Sequence, residues 1–338
     1  MPGKDIVVIG ASAGGIEALR SLVAALPADF AASVFIVLHT SSSAPGVLDR
    51  ILNADGGPRA KSATHRERIE PGRIYVAPPD QHMIIVPGMI ELTRGPRENR
   101  FRPAIDPLFR SAAQTYGPRV VGVILTGGLD DGTNGLWTVK QLGGTAVVQD
   151  PAEALAPSMP LSALRHVRAD HVVRIAELAP LLVRLAATPA DAAEGDLAVP
   201  KQVNIEVNIA REEKASDVGV WTLGEPSKYT CPECHGVLLQ VKDGTPPRFR
   251  CHTGHAYTLE SLLSEMDEVI EDTLWSAIRA LEERAMVMRE ASNHAREAHG
   301  DNGHKKMLES AEESQRRADL VRQAAMDDAP ASRGHADR

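Results

Sequence analysis

The most restrictive feature of the chain is its opening. A short apolar run, Asp5 to Gly10 (DIVVIG), breaks into the glycine turn of GASAGG and then into an amphipathic pattern over Ile16 to Leu26. The run is too short for a helix and lacks polar alternation, so it reads as a strand buried on both faces. The same grammar repeats. Ser33 to His39, Arg73 to Ala77, Arg119 to Thr126, Thr145 to Gln149 and His171 to Val173 are further buried strands. Helices are expected over Pro107 to Thr115, Gly132 to Leu142, Leu161 to His166 and Ile175 to Ala187. Buried strands separated by helices mean a doubly wound, mostly parallel α/β sheet. Met83 to Val86 and Met89 to Thr93 flank Pro87 and Gly88, which predicts an antiparallel hairpin added to that sheet.

The pattern ends near residue 187, so 1–187 reads as one domain. Ala, Asp, Glu and Pro dominate 188–228, which reads as a linker. Within it Val203, Ile205, Val207 and Ile209 alternate with polar residues, the period of a strand that adds to an edge or packs back on a domain. All three cysteines fall in a small module at 229–257. Residues 258–326 keep an apolar stripe through Leu259, Leu262, Leu263, Met266, Ile270, Leu274, Ile278 and Leu281, expected as a helical hairpin or coiled coil. A polar, disordered tail is expected over 327–338.

Gly10, Ala11, Ser12, Ala13 and Gly14 fit the G-x-S-x-G nucleophile elbow, with a strand before and a helix after. Read structurally, Ser12 is a helix N-cap in a phosphate-binding turn. A dinucleotide site needs glycine where Ser12 stands and an acidic residue ending the second strand. That strand ends in His39, which suits a general base. Ser12 and His39 both lie at carboxyl ends of strands, where open α/β sheets collect ligands. The loop Leu125 to Gly135 leaves another such end and offers Asp130 or Asp131 to orient the histidine. Pattern does not choose between them. Chain order Ser, His, Asp differs from the Ser, acid, His order of α/β hydrolases.

Six ordered blocks, GASAGGIEAL, IVLH, PPDQHM, NRFRPAIDPLF, VILTGGLDDGTNGL and QDPAEALAPSMPLSAL, together resemble the catalytic domain of the chemotaxis protein-glutamate methylesterases (CheB) over roughly residues 4–186. The resemblance implies a doubly wound fold, Ser12 as nucleophile, His39 as base and Asp131 as acid. It implies hydrolysis of glutamyl methyl esters on chemoreceptors with release of methanol, and in some members deamidation of glutamine. Ala13, Gly128 and Leu129 depart from residues common in the family at the expected oxyanion and cleft positions. Asp80, His82, Arg100 and Arg102 are cleft-lining candidates whose bland reading is structural or solvated; Met159 and Pro160 shape a wall or begin a helix. The chain opens at the first catalytic strand, so no receiver domain is expected ahead of it.

Cys231 and Cys234, with two residues between them, are followed after sixteen intervening residues by Cys251, and His255 stands four positions beyond that. That spacing predicts a closed, structural zinc site, with His252 and His235 as rivals to His255 for the fourth place. The segment resembles a zinc-ribbon-like tail on receiver-less methylesterases. The helix after it is expected to bind a partner, to dimerise, or to pack on its own domain. Net charge is -8, which argues against a nucleic-acid binder, and no apolar stretch spans a bilayer. No secretory signal is read at the N-terminus, and an odd cysteine count fits a reducing cytoplasm. The alternative to an esterase is a catalytically weak zinc-containing adaptor in a chemosensory complex.

Overall fold

Every position of the first strand is buried, and the side chains divide between two cores. Val7, Ile9 and Ala11 face one side of the sheet, Ile6 and Val8 the other. This computed structural model describes residues 3–190, 199–212, 214–242, 246–299 and 301–327. The chain divides into two compact units, Met1–Leu262 and Leu263–Arg338.

In the first unit, β1 (Ile6–Ala11), α1 (Gly15–Ala25), β2 (Ser33–Leu38), α2 (Leu48–Leu52), β3 (Ala60–Ser62), β4 (Glu67–Arg68) and β5 (Ile74–Val76) lead to the hairpin β6 (His82–Val86) and β7 (Met89–Thr93). Then follow α3 (Ile105–Tyr116), β8 (Val120–Ile124), α4 (Thr133–Gln141), β9 (Thr145–Gln149), α5 (Ser158–His166), β10 (His171–Val173) and α6 (Ile175–Ala187). Seven strands pair in parallel in the order β10-β9-β8-β1-β2-β5-β3. Residues of α1 and α6 pack in the core on one face, those of α3, α4 and α5 in the core on the other. The doubly wound expectation holds. One detail differs: the hairpin does not join the main sheet but forms a separate three-stranded sheet, β4-β7-β6. Its Met83, Ile85 and Ile90 pack in the second core, so burial of one face, without pairing to the sheet, holds it.

The run Val203 to Ile209, expected as a strand, is helix α7 (Lys201–Ala210). The physical reason is burial on two sides. Ile205 and Ile209, one turn apart, pack with Leu239 and Val241, while Val203 and Val207 pack with Ile84. A helix held between two layers repeats apolar residues on both faces, and two i, i+4 pairs interleaved give the period of a strand. Residues 191–198 and 213 of the expected linker lie outside the described residues. After it come β11 (Gly224–Thr230), β12 (Val237–Val241), β13 (Arg248–Cys251) and β14 (Ala256–Thr258), an antiparallel sheet in that order.

The second unit holds most of α8 (Leu259–His299) and all of α9 (Asp301–Asp327). Ile278, Ala285 and Ser292, seven residues apart, are buried, as are Ala311, Ser314 and Ala318. Ser292 Oγ lies 2.6 Å from His304 Nδ1, and Arg284 bonds Ser314 and Arg322 bonds Glu282, the pairing of an antiparallel hairpin. The seam thus runs mostly through small residues together with Ile278 of the expected stripe, while Leu263, Met266 and Ile270 of that stripe are exposed. The expected tail from 328 onward lies outside the described residues.

Candidate active site

Three parallel strands deliver the candidate residues to one edge of the sheet. Ser12 follows β1 directly, and its N–H donates to the Thr126 carbonyl beyond β8 at 2.9 Å. The turn that lifts it out requires Gly14, whose φ of 74° is left-handed. His39 follows β2 directly, its N–H donating to the Ala11 carbonyl at 3.1 Å. Asp131 sits just before α4. Gly127 passes so close to the serine that an added Cβ would lie 2.9 Å from Ser12 Cβ.

Asp131 receives an unusual number of donors. Its Oδ2 accepts from His39 Nε2 at 2.7 Å and from the Ile105 N–H at 2.7 Å. Its Oδ1 accepts from Asn99 Nδ2 at 2.9 Å, the Gly132 N–H at 2.9 Å and the Asp106 N–H at 3.3 Å. Burial alone pushes the carboxyl up, but the bond and charge of His39, then Ile105 and Asn99, outweigh it and hold Asp131 below the usual carboxylate range. It is therefore an anion at neutral pH. With Nε2 donating to that anion, a His39 ring carrying one proton has its lone pair on Nδ1, which is buried and has no hydrogen-bond partner among the described residues. Phe101 stacks on the ring with centroids 3.7 Å apart and planes 6° apart.

The other aspartate points elsewhere. Asp130 accepts from Thr258 Oγ1 at 2.8 Å; burial, despite that bond, together with nearby carboxyls, pushes it up to about 8. The fold thus separates the two aspartates that pattern left open. Ser12 and His39 share a cleft of ≈ 400 Å³ with Arg97, Arg100, Phe101 and Arg102. Arg102 is braced by Asp80 at 2.7 Å. His82 is wholly buried and structural: Nδ1 accepts from the Ala104 N–H at 3.2 Å, and Nε2 therefore donates to the Pro96 carbonyl at 3.0 Å. Burial lowers its pKa, in keeping with a neutral ring. Met159 and Pro160 are buried at the start of α5. The N–H groups of Ala13, Gly128 and Leu129 donate to no protein acceptor among the described residues.

A family model described as CheB methylesterase matches residues 7–182, more than half of the chain. The chain belongs to the CheB methylesterase family. Its CheB domain is 40% identical over 182 residues to a Leptospira interrogans protein provisionally named protein-glutamate methylesterase/protein-glutamine glutaminase, covering 54% of this chain and 94% of that one. It is 34% identical over 190 residues to the Methanosarcina mazei protein-glutamate methylesterase/protein-glutamine glutaminase 2, with 54% of this chain and 52% of that one covered. The chain thus spans about half of the length of that longer CheB relative. The crystal structure of the Thermotoga maritima CheB methylesterase catalytic domain superposes with a TM-score of 0.52 at 32% identity, covering 55% of this chain and 99% of that one. The CheB family match ends before the cysteine module begins.

In that module Cys231, Cys234, Cys251 and His255 come together, with their ligand atoms all within 4.8 Å of one another. Cys234 Sγ lies 3.5 Å from Cys251 Sγ, and His255 Nδ1 lies 3.6 Å from Cys231 Sγ and 3.5 Å from Cys251 Sγ. These spacings are compatible with a metal site. The two rivals stand outside it. His252 lies against Trp221 and the Cα of Gly236, and His235 takes a left-handed turn conformation.

Sequence reading assigned no role to Asn99 or Phe101, although both lie in the NRFRPAIDPLF block. It also missed a buried cluster. Glu98 pairs with Arg110 and Arg250, and Glu206 with Arg248 and Arg250. Taken singly each charge looks like surface, and only their convergence in the fold marks them.

Proposed function

We propose that this chain hydrolyses glutamyl methyl esters on a chemoreceptor or similar signalling protein, releasing methanol, with Ser12 as nucleophile, His39 as base and Asp131 as the acid that orients it. The observation that carries this reading is the state of the imidazole. Nε2 is fixed on an ionised Asp131, while Nδ1 keeps an uncommitted lone pair. His39 shares the cleft with Ser12 and no second base is needed. As the serine hydroxyl attacks the ester carbonyl, Nδ1 takes its proton and Asp131 stabilises the imidazolium. The oxyanion is held by backbone amides, for which those of Ala13, Gly128 and Leu129 are the uncommitted candidates. The imidazolium gives its proton to the departing methoxide, and a water activated at Nδ1 then cleaves the acyl-enzyme. Attack on a glutamine amide by the same steps would release ammonia. Three arginines beside the nucleophile suit a substrate surface carrying carboxylates.

The cysteine module fits a structural zinc. Tetrahedral zinc with Zn–S near 2.3 Å and Zn–N near 2.05 Å places sulfurs about 3.8 Å and sulfur and nitrogen about 3.6 Å apart, close to the spacings above. Glu233 lies 3.3 Å from His255 Nε2, as carboxylates behind metal-bound histidines do. Zinc would supply cross-linking of two turns, not a reaction step, since four protein ligands close its shell. Among the described residues no helix is long and apolar enough to cross a membrane. The cytoplasm is the compartment we propose. The adaptor alternative is not favoured, because the chain is a member of an esterase family and keeps all three triad residue types.

The test is methanol release from a methylated receptor fragment by the native chain and by Ser12→Ala. Release that vanishes in the variant supports the esterase and its nucleophile. Equal release removes Ser12 from the mechanism, and none from either chain overturns the substrate assignment.

A further inference from the structure

The support of the proposed triad extends outside the segment that matches the family. Asn99 donates through Nδ2 to Asp131 Oδ1 at 2.9 Å and to Asp106 Oδ2 at 3.1 Å. Its own Oδ1 accepts from the Thr258 N–H at 3.1 Å and from Ser261 Oγ at 3.3 Å. Those two residues belong to the end of β14 and the start of α8, 76 and 79 positions past the end of the family match at residue 182. The main chain is clamped as well. The Asn99 N–H donates to the Ala256 carbonyl at 2.8 Å, and the Ala256 N–H to the Arg97 carbonyl at 3.2 Å. Thr258 Oγ1 reaches past Asn99 to Asp130.

The clamped loop needs outside support. Asn99 and Arg100 both take left-handed conformations, φ 50° and 77°, which side-chain-bearing residues hold only where their surroundings over-determine them. The same loop places Phe101 flat on the His39 ring. One short segment therefore touches two of the three triad residues, and residues 256–261 hold it from behind. Ala256 directly follows His255, one of the four clustered ligand candidates. A buried tie runs alongside, from Arg250 of β13 to Glu98 at 3.0 Å.

We propose that the cysteine module is a positioning element of the esterase site: metal held by Cys231, Cys234, Cys251 and His255 fixes residues 256–261, and these fix Asn99 and Phe101 against Asp131 and His39. Asn99 is a positioning residue, acting on the reaction only through Asp131. This inference rests on both the triad and the zinc readings above. An order of this kind makes metal occupancy a condition for turnover without placing metal near the ester.

The experiment uses the full chain as purified, stripped with a chelator, and reloaded with zinc, together with Asn99→Asp. That substitution keeps the left-handed tolerance and the acceptor for Thr258 and Ser261, removes the amide donor to Asp131 and Asp106, and sets a third carboxyl against them. Zinc content, amide-hydrogen exchange over residues 97–106, and kcat and KM for ester hydrolysis are measured on each. Loss of one hydrogen bond to a charged group corresponds to about 10- to 100-fold. Stripping should lower kcat by at least about tenfold in that range, leave KM within about twofold, speed exchange over 97–106, and be reversed by zinc. Asn99→Asp should lower kcat at least as much, because its carboxyl also faces the Asp131 anion, and stripping it should add less than about threefold, because both perturbations act on the same contact. Zinc lost with exchange and kcat unchanged overturns the coupling and leaves the metal site standing. Full additivity overturns the route through Asn99. A purified chain that binds no zinc defeats the metal reading itself. A native chain without turnover defeats the esterase reading, and exchange over 97–106 still decides the coupling.

Discussion

Replacing Asp131 with asparagine tests the proposed base through its tautomer. The carboxylate now accepts two donors on Oδ2, from His39 and Ile105, and three on Oδ1, from Asn99, Gly132 and Asp106. An amide offers one oxygen and one NH2. The arrangement that loses fewest bonds keeps oxygen toward the three donors and turns the NH2 toward His39 and Ile105. Nε2 must then accept, so the proton of the neutral ring moves to Nδ1, the nitrogen that has to take the serine proton. A base held in the wrong tautomer costs about 10,000-fold in kcat in serine hydrolases of this kind. The Ile105 N–H loses its acceptor in a buried place, which costs about 1–3 kcal/mol of stability. Asp131→Asn should therefore fold, unfold at lower urea, and release methanol about 10,000-fold more slowly. Raising the pH should not restore it, because the fault is a tautomer and not a protonation. A kcat within tenfold of native, in a folded variant, refutes the assignment of Nδ1 as the base.

Asp130→Asn should behave in the opposite way. Its carboxyl is pushed up to about 8, far above its value in an unfolded chain, so the stability tied to its proton is present at low pH and lost as pH rises through about 8. The amide still accepts from Thr258 and cannot ionise; the variant should melt higher than native above that pH, with kcat within about threefold, as thermal scans and methanol assays at two pH values would check. Gly127→Ala would put a Cβ 2.0 Å from Met159 Sδ and 2.9 Å from Ser12 Cβ. A displaced nucleophile of about 1 Å costs about 100-fold, so kcat should fall by that much while folding, followed by circular dichroism, survives. Glu206→Gln leaves Arg248 and Arg250 without their shared charge; burial raises the Glu206 carboxyl, but these arginines and Arg110 outweigh it and hold it low. The substitution should cost about 3–5 kcal/mol in urea unfolding. The native protein should keep this contribution above the ordinary glutamate pKa and lose it as pH falls further, and an unchanged acid limb in the variant would contradict that.

The elements that the sequence made legible are those specified by local physics. A strand apolar at every position, such as Ile6 to Ala11, has to be buried on both faces, and a serine between glycines after it has to sit in a turn at a strand end. The placement of Ser12 and His39 at the ends of neighbouring strands was readable for that reason. So was the pairing of Cys231, Cys234, Cys251 and His255, whose spacing already describes two turns facing one point. Helix α7 was not readable, because two apolar faces of a sandwiched helix and one face of a strand leave the same alternation. The choice between Asp130 and Asp131 was not readable from pattern either. Adjacent residues at a helix start point to different sides, and only the packing sends one to His39 and the other to Thr258.

What the sequence determined by itself is thus the sheet, its covering helices, the turn bearing the serine and the cysteine pairs, each of which follows from neighbours within a few residues. What only the tertiary structure decided is how distant charges and amides meet. Glu98, Arg110, Glu206, Arg248 and Arg250 lie far apart in the chain and converge in one buried cluster. Asn99 joins the proposed acid of the triad to residues 258 and 261. A buried polar group has to find a partner, but it can take one from any part of the chain that the fold brings within about 3 Å, and no local pattern records which.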